Sequence, residues 1–141
     1  MMIEKIHPVF EGLEEAAIIF ITEHIQDKIY PPNTVVIRQG DPSNAVYFTY
    51  RGLLKVYLID ASGKYIPVKT SEEKDFVGDL GAVDGKPVPA TVETIKETQV
   101  FILNSNDFNY ALQHYPGFAL NLLQFWAKKV RVINQQREIS F

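Results

Sequence analysis

The sequence contains no cysteine. This absence excludes disulfides, zinc sites built from thiolates and cysteine nucleophiles, and it is compatible with a cytoplasmic protein. The histidines, His7, His24 and His114, fall in separate predicted elements without the spacing of metal ligands, so we expect no metal site. No nucleophile elbow and no pair of catalytic carboxylates stands out, and an enzyme is therefore not expected.

The chain also lacks an excess of positive charge and a long apolar run. It carries 14 lysines and arginines against 17 aspartates and glutamates, a formal net charge of −3. Proteins that contact nucleic acid directly usually present a basic surface, so nucleic acid is not an expected partner. No apolar stretch is long enough to cross a bilayer, and the first residues lack the pattern of a signal peptide. We therefore expect a cytoplasmic protein with no membrane partner.

The 141 residues have the composition of an ordinary globular protein, with 46% hydrophobic residues, and their number suits one domain, residues 1–141. Apolar spacing from Leu13 predicts a helix that ends near Glu23 or His24, with His24 as its cap. Short apolar runs between turn signals then predict about eight strands, at 26–30, 34–37, 45–50, 53–59, 64–70, up to 77, 90–96 and 99–103. The last two are predicted to pair as a hairpin. The pattern indicates a mainly β fold with flanking helices, a double-stranded β-helix (jelly roll) barrel over about 24–104.

The segment 76–92 organises this pattern. A strand ends near Phe76, the chain turns at Gly78, and a short helix follows that Gly85 and the next prolines end. Free backbone N–H groups and the helix dipole favour an anion at such a turn. Glycines at 78 and 81 allow a ligand to approach the backbone. A glycine-rich turn that binds nothing has the same local pattern.

Two helices are predicted at about 105–138. Ser105 is the expected N-cap of the first, over Asp107–His114, and Pro116 opens a longer helix towards Glu138. The longer helix has two apolar stripes, Phe118/Leu122/Phe125/Val132 and Leu123/Trp126/Val130/Ile133. The first stripe is enough to dock the helix on the barrel. The second predicts a homodimer through this helix, unless both stripes are buried on one broad face.

Several segments resemble the cyclic nucleotide-binding domain family. They are the strand and Gly-Asp turn at 36–43, the strands joined at Gly52 over 46–57, the glycine-led segment 75–80 with its closure at 87–92, and the helix start at 106–108. The resemblance extends from about Leu13 to about Asn134. It implies the jelly-roll fold, a regulatory role in signal transduction, and a small-molecule effector, with cAMP or cGMP as the candidates and no other cofactor.

The resemblance also implies the ligand-binding residues. The family opens its phosphate cassette with Gly-Glu, whose carboxylate holds the ribose, and this chain has Gly78-Asp79. A hydroxyl pair on the long helix touches the base in the cAMP-binding regulators, and the matching positions here are Ile133 and Asn134. Asn134 could hydrogen-bond a base edge or be a helix surface residue. The expected ligand-binding set is Gly78, Asp79, Leu80, Gly81, Val88, Pro89, Ala90, Thr91 and Asn134.

Besides Asp79, which replaces the family's glutamate, two more positions in this set differ from the family. Val88 stands where the family has an arginine that pairs with the cyclic phosphate, and Pro89 has no N–H where the family donates one. Hydrogen bonds to a charged partner are worth ~1.5–3 kcal/mol each, so losing both weakens binding by roughly 100-fold to well beyond 1,000-fold. Lys86 could reach a phosphate or be a solvated loop lysine. We therefore expect weak, altered or lost cAMP and cGMP binding.

Three hypotheses follow for the function. The first is a ligand-sensing regulatory module whose cavity holds a weakly bound anion or an apolar effector, or is vestigial. The second is a ligand-free dimerisation or interaction module. The third is the sensory half of a CRP/FNR-like transcription regulator, because the family's helix-turn-helix is not found in this sequence.

Overall fold

The computed structural model describes residues 2–136, which form two four-stranded antiparallel sheets with helices before and after them. The helices are α1 (Glu15–His24), α2 (Asp79–Asp84), α3 (Ser105–His114) and α4 (Pro116–Gln136), preceded by short 3-10 helices at Ile3–Lys5 and Pro8–Phe10. The strands are β1 (Gln26–Tyr30), β2 (Val35–Ile37), β3 (Ala45–Arg51), β4 (Leu54–Ile59), β5 (Tyr65–Ser71), β6 (Asp75–Val77), β7 (Thr91–Thr94) and β8 (Thr98–Asn104). The predicted fold class, a jelly roll with flanking helices, is confirmed. The predicted helix end at Glu138 lies outside the described residues.

The two sheets have strand orders β1-β8-β3-β6 and β2-β7-β4-β5. The predicted hairpin between β4 and β5 is confirmed, with Ile59 paired to Tyr65 across the turn at Asp60. The Asp60 side chain accepts the backbone N–H groups of Ser62 and Lys64, each at 2.9 Å, and so fixes the turn. The predicted C-terminal interaction of α1 is also present, because His24 Nδ1 lies 2.7 Å from the Phe20 carbonyl oxygen.

The predicted hairpin between β7 and β8 is wrong. β7 pairs with β2 and β4, whereas β8 pairs with β1 and β3, so the chain crosses from one sheet to the other between them. The Ile95 N–H donates to the Leu53 carbonyl at the crossing, at 2.9 Å. A short polar link between two apolar strands has the same sequence pattern whether the two strands pair as a hairpin or belong to different sheets. Burial of Val92 and Val100 from opposite sheets in one core decides between these two arrangements.

The predicted N-cap of α3 is wrong by one residue. Asn104, and not Ser105, caps the helix, since its side-chain oxygen accepts the Asp107 N–H at 2.8 Å. Ser105 is the first helical residue, and its hydroxyl donates to the Ser43 carbonyl at 2.8 Å. Asparagine and serine are comparable caps, so tertiary contact of Ser105 with the loop before β3 decides the boundary.

The first sheet separates two apolar layers, because successive strand residues face opposite sides. Phe48 and Phe76 face the helices and pack with the buried rings of Phe10, Phe108 and Phe118. Tyr47 and Val77 face the second sheet and pack with residues such as Val56, Val92 and Val100. The cavity described below lies at the edge of this second layer, where β6 passes into α2.

Helix α4 docks through part of the first predicted stripe. Phe118 and Leu122 are buried, but Val132 is 50% exposed and does not belong to the docked face. Trp126, assigned to the second stripe, packs against the helical core instead. Leu123, Val130 and Ile133 remain exposed. No helix in residues 2–136 combines the length and apolarity needed to span a bilayer.

Candidate ligand-binding site

The site is built on the junction between β6 and α2. Gly78 connects them with φ of 91°, and a Cβ added there would contact the Ala45 carbonyl of β3. Glycine is therefore required both for its backbone angle and for space. At the other end of α2, Gly85 has φ of 72° and donates its N–H to the Gly81 carbonyl at 2.9 Å. The predicted short helix and both of its glycine limits are confirmed.

A second loop holds α2 in place. The Ser43 side chain lies where a Cβ at Gly81 would be, so glycine at this position lets the loop pack directly against the helix. The Ser43 hydroxyl donates to the Lys86 carbonyl at 2.7 Å, just after α2. Part of the role of Gly81 is therefore internal packing. Its approach to a ligand stays a prediction.

A cavity of about 240 Å³ lies between α2 and the second sheet. Seven of the nine predicted ligand-binding residues line it: Gly78, Asp79, Leu80, Gly81, Val88, Pro89 and Ala90. Most of the remaining wall is aliphatic, from β2, β4, β6 and β7. The volume is somewhat below the ~300–1,000 Å³ typical of small-molecule sites. The size and walls suit a small, largely apolar ligand.

The other two predicted residues do not line this cavity. The Thr91 hydroxyl accepts the Gln39 N–H at 3.0 Å and lies beside a separate shallow groove. Asn134 is partly exposed on the last turn of α4 and is absent from the cavity lining. Lys86 is exposed after α2 and is also absent from the lining.

Asp79 is buried at the start of α2 and is already hydrogen-bonded. The Trp126 indole N–H donates to its carboxylate at 2.7 Å, which links α2 to α4. The sequence analysis placed Trp126 on a dimer stripe and missed this contact. A buried indole usually finds an acceptor, so the only tryptophan of the chain was the available signal.

Comparison with known proteins identifies the family of this chain. The family model described as "Cyclic nucleotide-binding domain" matches residues 27–115, which include both sheets apart from one residue of β1, and α2 and α3. The chain belongs to the cyclic nucleotide-binding domain family.

Curated relatives of this cyclic nucleotide-binding domain are longer proteins. The lysophospholipase nte1 of Aspergillus oryzae is 29% identical over 97 residues, which are 69% of this chain and 6% of that protein. A CRP-like cAMP-activated global transcriptional regulator of Mycobacterium tuberculosis is 23% identical over 126 residues, 89% of this chain and 56% of that protein. The chain thus spans about half the length of the regulator and a small fraction of the lysophospholipase.

Solved structures share the fold of this domain. The catabolite activator protein of Thermus thermophilus has a TM-score of 0.79 at 20% identity, covering 93% of this chain and 62% of that one. A triple mutant of the regulatory subunit of a cAMP-independent protein kinase A from Trypanosoma brucei, bound to cAMP in the A site, has a TM-score of 0.78 at 20% identity. It covers 97% of this chain and 48% of that one, and one of its substitutions introduces an arginine.

Among residues 2–136 of this cyclic nucleotide-binding domain, Lys69 of β5 is the one basic residue whose side chain lines the cavity. Its ammonium lies 3.9 Å from the Asp75 carboxylate, which Lys129 also approaches, at 3.5 Å. Burial lowers the pKa of Lys69 below its ordinary value, although the nearby Asp75 raises it. The sequence analysis missed Lys69 because β5 was assigned no role in the site.

Proposed function

We propose that this chain is a ligand-sensing regulatory module whose cavity binds cAMP and cGMP weakly or not at all. The observation that carries the proposal is the pair Val88 and Pro89 in the cavity wall, where the family places an arginine and a donor of an N–H. The Val88 N–H already donates to the Asp41 carbonyl at 2.9 Å, and its carbonyl accepts the Gly40 N–H at 2.8 Å. Pro89 has no N–H. This corner offers a cyclic phosphate neither a guanidinium nor a donor from these two residues.

Asp79 supports the same proposal. Its carboxylate would have to leave Trp126, or share the hydrogen bond with it, in order to hold a ribose hydroxyl. Because Asp79 is buried, any loss of this bond leaves a charged group with one donor fewer, at a cost of roughly 1–3 kcal/mol. A cyclic nucleotide therefore has to offset this cost in addition to lacking the phosphate contacts.

The contact between Asp79 and Trp126 also suggests how a bound ligand is signalled. Asp79 lines the cavity, and Trp126 lies on α4, far along the chain. Because this bond links α2 to α4, a ligand that binds more tightly to one position of α2 also favours the matching position of α4. The shift between the two positions is set by the difference in the ligand's affinity for them. Movement of α4 is then the output of the module.

Calorimetric titration with cAMP and cGMP tests the proposal. We expect no measurable binding at micromolar nucleotide by the parent chain, and a gain of at least ~100-fold in cAMP affinity for the variant Val88→Arg/Pro89→Ala. The trypanosomal mutant whose solved structure holds cAMP in the A site likewise carries an introduced arginine. Pro89→Ala alone is the matched control and should recover less. Tight, stoichiometric capture of cAMP by the parent chain would contradict the proposal.

A second candidate function is an interaction module that dimerises through α4. Leu123, Val130 and Ile133 are between 45% and 58% exposed and follow the spacing of a helix–helix contact. Exposed apolar residues in a contiguous stripe favour a protein partner. We propose a second copy of the chain as that partner, which also fits the sensory part of a longer regulator.

The proposal of a longer CRP/FNR-like regulator is supported by the length of the mycobacterial relative, of which this chain matches 56%. Sequencing the gene beyond the codon for Phe141 tests it. A reading frame that continues into a helix-turn-helix is expected, and a stop codon directly after Phe141 would reject it.

A further inference from the structure

Lys69 is an unusual residue for the inner face of a sheet. It pairs with Val56 of β4, and residues directly opposite in an antiparallel pair share a face. Val56 faces the cavity, and so does Lys69. Tyr57 pairs with Pro67, which leaves Val68 as the extra residue of a β-bulge next to Lys69. Bulges redirect side chains, and this one places both Val68 and Lys69 in the cavity lining.

Lys69 lies near one other ammonium group, Lys129, and near the carboxylates of Asp75 and Asp79. Asp75 is shared between Lys69 and Lys129, so two ammonium groups approach one carboxylate. Of these three side chains, only Lys69 lines the cavity. Asp79 is the carboxylate in the lining; it accepts a hydrogen bond from the uncharged Trp126 indole, and its negative charge also raises the pKa of Lys69. As the one basic side chain in a mostly aliphatic lining, Lys69 is the group that can bind an anion supplied from inside the cavity.

The rest of the lining determines what can accompany that negative group. Ile37, Val56, Leu58, Val77, Val88 and Val92 provide aliphatic surface on the sheet side. Ribose hydroxyls and a base buried against such walls would lose hydrogen bonds to water without replacement, which costs about 1–3 kcal/mol per group on mutational data. An apolar ligand body has no such cost and gains from leaving water.

We propose that Lys69 anchors the single negative charge of an effector with an apolar body, so that the cavity takes a medium-chain monocarboxylate of about six to eight carbons. This inference rests on the proposed ligand-sensing function and names the class of ligand for the same cavity. Burial lowers the pKa of Lys69, but its side chain is still 38% exposed, so the ammonium is only partly withdrawn from water. A carboxylate beside it restores the lost stabilisation of the charge.

A structural explanation for Lys69 also exists, and it predicts different behaviour. β5 is an edge strand, and inward-pointing charges on edge strands prevent pairing with other chains. If that were the only role of Lys69, removing its charge would promote aggregation but leave ligand binding unchanged.

The test compares hexanoate and octanoate with hexanol and octanol, using the fluorescence of Trp126 and calorimetry on the full chain. Trp126 is the only tryptophan and contacts the cavity residue Asp79, so its emission reports on the site. We expect the carboxylates to bind at least tenfold more tightly than the alcohols. Lys69→Met, which keeps the length of the side chain, should abolish this preference. Lys129→Met is the matched control, since Lys129 shares Asp75 but is not in the lining, and it should keep the preference.

The outcomes separate this inference from the proposed function. Equal binding of acids and alcohols, or an unchanged preference in Lys69→Met, would overturn the role of Lys69 and leave a ligand-sensing module with an uncharged effector. If neither the acids nor the alcohols bind at millimolar concentration, the carboxylate inference is overturned. Should cAMP also fail to bind Val88→Arg/Pro89→Ala, the ligand-sensing function would be overturned with it.

Discussion

The Trp126 indole N–H donates a 2.7 Å hydrogen bond to the carboxylate of Asp79, and this bond joins the first residue of α2 to the middle of α4. Asp79 also lines the cavity. The buried side chain of Asp79 is thus part of the candidate ligand site and is also hydrogen-bonded to α4.

Trp126→Phe should destabilise the chain. The variant keeps most of the aromatic packing but removes the donor to a buried carboxylate, so we expect the free energy of unfolding to fall by about 1–3 kcal/mol. Chemical denaturation followed by circular dichroism measures this change. Leu123→Ala, three residues earlier on the exposed face, is the control and should stay within about 0.5 kcal/mol of the parent. Equal stability of Trp126→Phe and the parent would show that the bond contributes nothing.

Gly78→Ala should be much more damaging than Gly85→Ala. Both glycines have positive φ, 91° and 72°, and alanine in the left-handed region costs roughly 1–2 kcal/mol at either position. Only at Gly78 would the new Cβ also collide with the Ala45 carbonyl, whereas the space at Gly85 is open. Overpacking adds roughly 1–3 kcal/mol, so the difference between the two variants in denaturation experiments isolates the clash. Two equal losses would contradict the close packing of β3 against this turn.

Stability should fall in mild acid because of His7. This side chain is fully buried, its Nδ1 accepts the Val9 N–H at 2.9 Å, and burial lowers its pKa from 6.5 to about 4. Between pH 6.5 and 4, His7 is therefore protonated in the unfolded chain but neutral in the folded chain. The stabilisation is fully present above pH 6.5, is lost as the pH falls towards 4, and amounts to about 3 kcal/mol in total.

Denaturation at a series of pH values measures the effect of His7. His7→Gln should flatten the dependence between pH 6.5 and 4, and His114→Gln, which replaces an exposed histidine in the same way, is the matched control for the substitution. An identical pH dependence in His7→Gln and the parent would mean that His7 accepts its proton without loss of the fold.

Leu123→Glu should convert a dimer to a monomer if the exposed stripe of α4 binds a second copy. A charge in the centre of an apolar helix–helix contact leaves an unpaired buried carboxylate. Val132→Glu is the control: Val132 is 50% exposed, but nine residues of helix place it on the side opposite Leu123. Sedimentation velocity of the parent and both variants measures the assembly. A monomeric parent, or a dimer that survives Leu123→Glu, would reject this interface.

The sequence predicted local conformation well where it depends on the properties of a single residue. Gly78 and Gly85 delimit α2, and Pro116 begins α4, because positive φ and a missing N–H are properties of single residues. Seven residues of the predicted site lie together for the same reason, since all belong to this turn or to the segment that follows α2. Thr91 follows Ala90 directly, but its hydroxyl accepts the Gln39 N–H and does not line the cavity, while Asn134 depended on the resemblance alone.

Pairings between distant segments were decided only by the tertiary structure. The strands β7 and β8 are close in sequence but join different sheets, because each completes a separate layer of the core. Periodicity placed Trp126 on an outward stripe, yet the acceptor for its N–H is 47 residues away. Lys69 entered the cavity through a bulge at Val68 that alternation does not anticipate. The sequence by itself determined the jelly roll, the glycine-led corner and the absence of arginine at Val88, since these depend on local conformation and residue identity. Which charged and aromatic side chains face that corner depended on long-range packing, and only the folded chain shows it.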